Sequence, residues 1–279
     1  MKGFIDEGLA EKYRKRIRHD YDMDFYKKVA ETCDKLKVPN WLFNKIIIEG
    51  EDNVKEVKDK QLFYVSNHVS MADFLVQGYT FWKYNLPIPR FIAGENLFHF
   101  PFNVLWKKCG AISLDRAGNR DYKEIFKNEI EKYILEGENF LLYPEGGRNY
   151  LDNGVKEFKT GLLGILVDGV EKGRDIYIAP IKSSYDKRIE ERFLHKVQKN
   201  KKKRDTCLKE GKKVKAKMYD NLYFWWDVFA YFARPFSREK GNAYLSFGKV
   251  FSVRDFLEDV DKQKKVALAD AIRSKIIEL

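Results

Sequence analysis

The chain is poor in cysteine. Cys33, Cys109 and Cys207 are the three it has in 279 residues. The count is odd and the spacing is wide, so no disulfide framework is expected and a reducing compartment is the default. No cysteine pair has metal-ligand spacing. His68, His99 and His195 share no such spacing with cysteines or carboxylates either, so no metal is expected. Long apolar runs are missing too. No stretch of 18 apolar residues occurs, which argues against a membrane-spanning helix. The first 22 residues are charged throughout and lack the apolar stretch of a secretory signal.

What is present fits a globular chain: 44% hydrophobic and 34% charged residues, enough for one large α/β domain with a sizeable core. The net charge of +11 is concentrated. From Lys187 to Lys217 there are 14 Lys or Arg against 4 Asp or Glu; the remaining 39 basic and 38 acidic residues nearly cancel. This segment should meet something anionic, and no standard nucleic-acid module accompanies it.

Along the chain, residues from about Ile5 to Leu36 read as polar helix. Pro39 breaks the chain before an apolar stretch that reads equally as a strand or a docking helix. Gln61 to Asn67 reads as a buried strand carrying His68 at its C-terminal end, followed by a helix with Asp73 in its first turn. Further strand candidates lie in "RFIAGENLF", in "GAISLDR" after the turn at Gly110, in "NFLLYPEGGR" and in "DIYIAPIKSSYD". Helical periodicity marks "RDYKEIFKNEIEKYILEGE", which stops at Gly137, and "GLLGILVDGVEKG". Strands alternate with helices, which predicts an α/β fold with an open, mostly parallel or mixed sheet flanked by helices. An N-terminal helical segment is expected over residues 1–50 and the α/β domain over 51–279, including a basic and aromatic membrane-facing insertion at about 187–236.

Four strand ends carry chemistry-bearing residues, where open α/β sheets place ligand sites. In "NHVSMAD", His68 is a candidate base and Asp73 a candidate partner for its other ring nitrogen. A separation of five does not share one face of a helix. The pair meets only if His68 lies on the turn before the helix and Asp73 in its first turn. In "GAISLDR", Arg116 projects from a strand end, and a guanidinium can grip phosphate bidentately. In "YPEGGR", Gly146 and Gly147 allow close backbone approach, Arg148 adds a second cation, and Glu145 can accept from substrate hydroxyls or orient the arginine. In "IAPIKSSYD", Pro180 closes an apolar strand and "SSYD" is expected to wall the pocket.

In this order and spacing, the four blocks resemble those of the glycerolipid acyltransferase family. The match runs from Asn67 to Asp186, with flanks to about Gly248. "EGGR", "EFKTGLL" and "AYLSFGKVFSVRDFL" look like the branch acylating glycerol 3-phosphate or dihydroxyacetone phosphate; the lysophosphatidate branch usually has threonine at position 147. The resemblance implies transfer of an acyl chain from acyl-CoA or acyl-carrier protein to a small phosphorylated alcohol, at the sn-1 hydroxyl of glycerol 3-phosphate, without cofactor or covalent intermediate. It implies His68 as base and Asp73 as its partner. Arg116, Glu145, Gly146, Gly147 and Arg148 would form the acceptor site, with Lys159 a further phosphate contact and Pro180 in the fourth block. Replacing Arg116 or Arg148 should then mainly weaken acceptor binding. Asp115 departs from the branch, which commonly has a basic residue there.

"NLYFWWDVFAYFARPF", Asn221 to Phe236, is dense in aromatics and follows the basic run. This pairing suits an anionic membrane interface, with Lys201, Lys202, Lys203, Arg204, Trp225, Trp226 and Phe229 as expected contacts. A cytoplasmic protein, peripheral or monotopic at the membrane face, is expected.

Overall fold

A computed structural model describes residues 6–98, 102–149 and 154–279, side chains of Asn96 and Tyr223 aside. Ile5 and His99 lie outside the described residues. In chain order the regular elements begin with α1 (Glu7–Ile17), α2 (Met23–Lys35), α3 (Val38–Leu42), β1 (Ile46–Glu49), α4 (Asp52–Lys55) and β2 (Gln61–Ser66). They continue with α5 (Asp73–Lys83), β3 (Arg90–Gly94), α6 (Phe102–Lys108), β4 (Ala111–Leu114), α7 (Arg120–Leu135), β5 (Phe140–Leu142) and α8 (Thr160–Glu171). The last are β6 (Ile176–Tyr185), α9 (Leu194–Lys209), α10 (Lys213–Ala233), β7 (Ala243–Phe247), β8 (Phe251–Ser252), α11 (Val253–Glu258) and α12 (Lys264–Glu278).

The polar N-terminal stretch is two helices rather than one. Asp22 caps the second by accepting from the Phe25 N–H at 2.8 Å. Pro39 sits in the first turn of the short α3, and the apolar tail after it is the strand β1.

The strands form one eight-stranded sheet, ordered β1-β7-β6-β2-β5-β3-β4, with β8 pairing β6 off this path. β2 is parallel to both β5 and β6, and β3 is parallel to both β4 and β5. β7 and β8 run antiparallel to β6, so the sheet is mixed. β2 is buried at all six positions, as a strand covered on both faces must be. Phe63 and Val65 point to a core built with α1, α7, α8 and α12, while Leu62 and Tyr64 point to a second core shared with Phe81 of α5.

Pro180 does not close its strand. It is the fifth of ten residues in β6, at the place where the antiparallel neighbour changes. β8 pairs with Tyr177 and Ile178, and β7 pairs from Ile181 onward. A residue without an N–H costs the ladder least in that gap. The Pro180 carbonyl still accepts from Gly248 N–H at 2.8 Å.

Candidate active site

Register brings the first and third blocks together. Val65 of β2 is level with Leu142 of β5. Three residues beyond each lie His68 and Glu145, and the His68 N–H donates to Glu145 Oε1 at 3.3 Å. The chain between β2 and α5 makes the turn that the His68–Asp73 spacing requires. His68 Nδ1 lies 2.7 Å from Asp73 Oδ2. That oxygen also accepts from the backbone N–H groups of Val69 (2.8 Å) and Ser70 (3.1 Å), and Asp73 Oδ1 accepts from the Tyr185 hydroxyl at 2.7 Å. Asp73 is fully buried, and the His68 side chain is 20% exposed. With Nδ1–H directed at Asp73, Nε2 is the nitrogen left for substrate.

The ring is held on its face as well. Tyr143 stacks on His68 with centroids 4.5 Å apart, and its hydroxyl donates to Gln77 Oε1 at 2.9 Å. Gln77 in turn donates to Ser66 and Ser183, each at 2.9 Å. Asn67 clamps the loop to β6, donating to the Ser183 carbonyl (3.0 Å) and accepting its N–H (2.8 Å). Burial, followed by the charges of Arg148 and Arg116, lowers the His68 pKa below its ordinary value, while Asp73 opposes the shift. The shift favours the neutral imidazole.

His68 opens onto a cavity of about 640 Å³. Phe74, Phe91, Ile92, Leu97, Trp106 and Phe126 supply an apolar wall. Arg116, Lys159, Gly146 and Gly147 line it too, and Lys123, Lys127 and Lys265 add further cations. Gly146 adopts φ +69°, and a Cβ there would stand 2.6 Å from Lys159 Nζ, so glycine makes room for that lysine.

Three expected substrate contacts face elsewhere; the first, Pro180, lies within β6 and does not line the cavity. Arg148 is buried and does not line the cavity. Its guanidinium pairs with Glu190 Oε1 (3.1 Å) and spans both oxygens of Asp227 on α10. Two carboxylates hold it in place of a substrate phosphate. Glu190 also accepts from Ser70 Oγ (2.8 Å) and Met71 N–H (3.0 Å), so this buried cluster supports the His68 loop. Glu145 is likewise turned inward beneath that loop. Burial pushes its carboxyl up to about 7, against the pull of the His68 and Lys156 backbone amides. The "SSYD" residues form no pocket wall either: Ser183 and Tyr185 lie behind the His68–Asp73 pair. Asp115 accepts from Arg16 at 3.3 Å and from the Ala117 N–H at 2.9 Å.

The basic and aromatic segment folds as the helical hairpin α9–α10. Lys202 and Lys203 are exposed, as are Trp225 and Phe229. The other three expected membrane contacts turn inward. Trp226 stacks on Phe193 at 5.3 Å with Lys196 Nζ 4.0 Å over its ring. Arg204 Nε lies 3.5 Å from Asp220 and joins the two helices. Lys201 is half-buried, its ammonium 3.7 Å from where a Cβ on Gly147 would stand. Burial lowers its pKa to about 8, helped by the charges of Lys156 and Arg148. Among the described residues, no helix is long and apolar enough to cross a membrane.

Sequence reasoning missed Tyr185, Gln77, Glu190 and Asp227. "SSYD" was the one visible signal, and it located Tyr185 without its role.

A sequence model of the family described as Acyltransferase matches residues 45–184, half of the chain, holding three of the four blocks and most of the fourth. Among curated relatives, a glycerol-3-phosphate acyltransferase of Pseudoalteromonas atlantica is 28% identical over 262 residues, covering 90% of this chain and 29% of the relative. One from Alteromonas mediterranea is 26% identical over 277 residues, covering 91% and 31%. The chain thus spans about three tenths of these relatives' length. The solved 1-acyl-sn-glycerophosphate (LPA) acyltransferase of Thermotoga maritima superposes with a TM-score of 0.50 at 19% identity, over 90% of this chain and 78% of that one; it shares the fold.

Proposed function

Because the chain belongs to the acyltransferase family, we propose that it transfers a fatty acyl group from a thioester, acyl-CoA or acyl-carrier protein, to the sn-1 hydroxyl of glycerol 3-phosphate. The observation that carries this reading is the His68–Asp73 pair, 2.7 Å apart, on a cavity lined by both apolar and cationic side chains. The apolar residues suit an acyl chain. Arg116 and Lys159 suit a phosphate.

In this mechanism His68 Nε2 takes the proton from the acceptor hydroxyl as its oxygen bonds to the thioester carbonyl carbon. Asp73 keeps the ring in the Nδ1–H tautomer and stabilises the imidazolium. The tetrahedral intermediate then expels the thiolate, which takes the proton from His68. Arg116 and Lys159 hold the phosphate and so place the hydroxyl beside the base. The chain needs no cofactor for these steps. Lysophosphatidate is the competing acceptor; its own acyl chain would have to share the apolar wall.

Palmitoyl-CoA with glycerol 3-phosphate, dihydroxyacetone phosphate or lysophosphatidate in turn, followed by thiol release, tests the acceptor. The reading predicts turnover with glycerol 3-phosphate and a rise in its KM of about tenfold or more in Arg116→Ala, the loss of one charge-assisted contact. Release with lysophosphatidate alone would move the assignment to the other branch.

The outer face of α10 supports a membrane role. Val214, Met218, Leu222, Trp225, Phe229 and Phe232, with Phe236 just beyond, are all exposed and recur every three or four residues. Ala216, Phe224, Asp227 and Ala230 form the buried face. Such a stripe beside exposed lysines fits an anionic lipid surface, with the helix lying in the interface.

A further inference from the structure

The fourth sequence block does not line the cavity, yet one of its side chains reaches the His68–Asp73 pair from behind. Tyr185 is the last residue of β6, level with Ala243 of β7. It is buried, and its ring stacks on Phe43 with centroids 5.4 Å apart. A buried phenol needs a hydrogen-bond partner, and most side-chain hydrogen bonds go to neutral groups of the backbone or to water. The other two phenols beside the His68 loop have neutral partners: Tyr143 donates to Gln77 and Tyr231 to the Met71 carbonyl. Tyr185 donates instead to Asp73 Oδ1 at 2.7 Å, a charge-assisted bond. Burial, followed by the charge of Asp73, raises the pKa of the phenol well above its ordinary value, so Tyr185 remains a donor.

Asp73 thus shares its charge among four donors. Oδ2 serves His68 Nδ1 and the backbone amides of Val69 and Ser70, and Oδ1 serves Tyr185. The amides are fixed by the turn. Among the described residues, Tyr185 is the one side chain besides His68 that bonds this carboxylate. The ionisable groups around the pair are engaged elsewhere. Glu145 accepts from the His68 N–H, Glu190 holds Arg148 together with Ser70 and Met71, and Arg116 lines the cavity. Each donor that satisfies the carboxylate leaves less of its charge for the imidazolium.

We propose that Tyr185 is a positioning residue for the reaction: by holding Asp73 Oδ1 it fixes the carboxylate against the ring and weakens the pull of Asp73 on the imidazolium, so that His68 keeps its base form to lower pH. The inference rests on the reading of His68 as the general base.

Tyr185→Phe keeps the ring and its stack on Phe43 and removes the hydroxyl alone. The charge of Asp73 then falls on its remaining donors, His68 among them, and the imidazolium is stabilised. The titration midpoint of His68 would be followed by NMR of its Cε1–H, assigned by the loss of that signal in His68→Ala. In Tyr185→Phe it should rise by about half a unit or more, about threefold in proton affinity. The acid limb of kcat/KM for glycerol 3-phosphate should move with it. 3-Fluorotyrosine placed at position 185, a stronger donor of nearly the same shape, should move both the opposite way. It retains the hydroxyl and the stack, so it tests the proposal even where the phenylalanine variant fails to fold. Any other pattern, an unmoved midpoint included, overturns the proposal, even where activity falls. The NMR midpoint is read in the free protein without turnover. The acyltransferase reading is therefore judged separately, by whether thiol release with glycerol 3-phosphate depends on His68.

Discussion

At the scale of single residues, His68 and Glu145 are neighbours pushed in opposite directions. Burial disfavours charge on both, so the histidine loses its proton more readily and the carboxyl keeps its own. The sign for stability follows. Glu145 has a folded value of about 7 against an ordinary 4.5, so between these pH values the folded state binds a proton that the unfolded state has released. Stability from this group is fully present below about 4.5 and is lost as pH rises through about 7. Glu145→Gln removes that loss. Relative to the parent, the variant should gain about 1–3 kcal/mol in urea unfolding between pH 4 and pH 8. A difference independent of pH would contradict the assignment. The meeting of His68 and Asp73 was legible in the sequence because a separation of five closes only across a strand–turn–helix. Tyr185 was not legible in its role, since only the strand register shows that its hydroxyl reaches Asp73.

At the scale of elements, α10 has two faces with different work. The inner face carries Asp227 to Arg148, and Tyr231 donates to the Met71 carbonyl at 2.8 Å within the His68 loop. The basic and aromatic segment is thus part of the active-site support. The sequence showed its charge and its rings, but not which ring faced which way, because the helical phase was not assigned. Asp227→Ala leaves the Arg148 guanidinium short of one buried partner. It should cost about 3–5 kcal/mol in urea unfolding, the usual cost of breaking a buried pair. A cost below about 1 kcal/mol would show that the pair is idle. The outer face is tested separately. Joint replacement Trp225→Ser and Phe229→Ser should lower binding to vesicles containing phosphatidylglycerol about tenfold or more, with residual binding that weakens in salt. Equal sedimentation of parent and variant would count against the lipid-facing stripe.

At the scale of the molecule, the alternation of strands and helices was enough to foretell an open α/β sheet, because each element carries its own period. The antiparallel return of β7 and β8 was not, since that pairing depends on where Pro180 leaves a gap in the ladder. Strand order, in turn, decides the site. β2 and β5 are parallel neighbours, and their C-terminal ends deliver His68 and the glycine loop side by side. The cavity beyond them is lined by apolar and cationic side chains together, which the proposed thioester donor and phosphorylated alcohol would each use. The most direct test of this account is CoA release from palmitoyl-CoA with glycerol 3-phosphate, measured for the parent chain and for His68→Ala. A general base on the reacting hydroxyl predicts that the variant stays folded and loses about 10²- to 10⁴-fold in kcat. Turnover equal to the parent's would remove His68 from the chemistry and contradict the account.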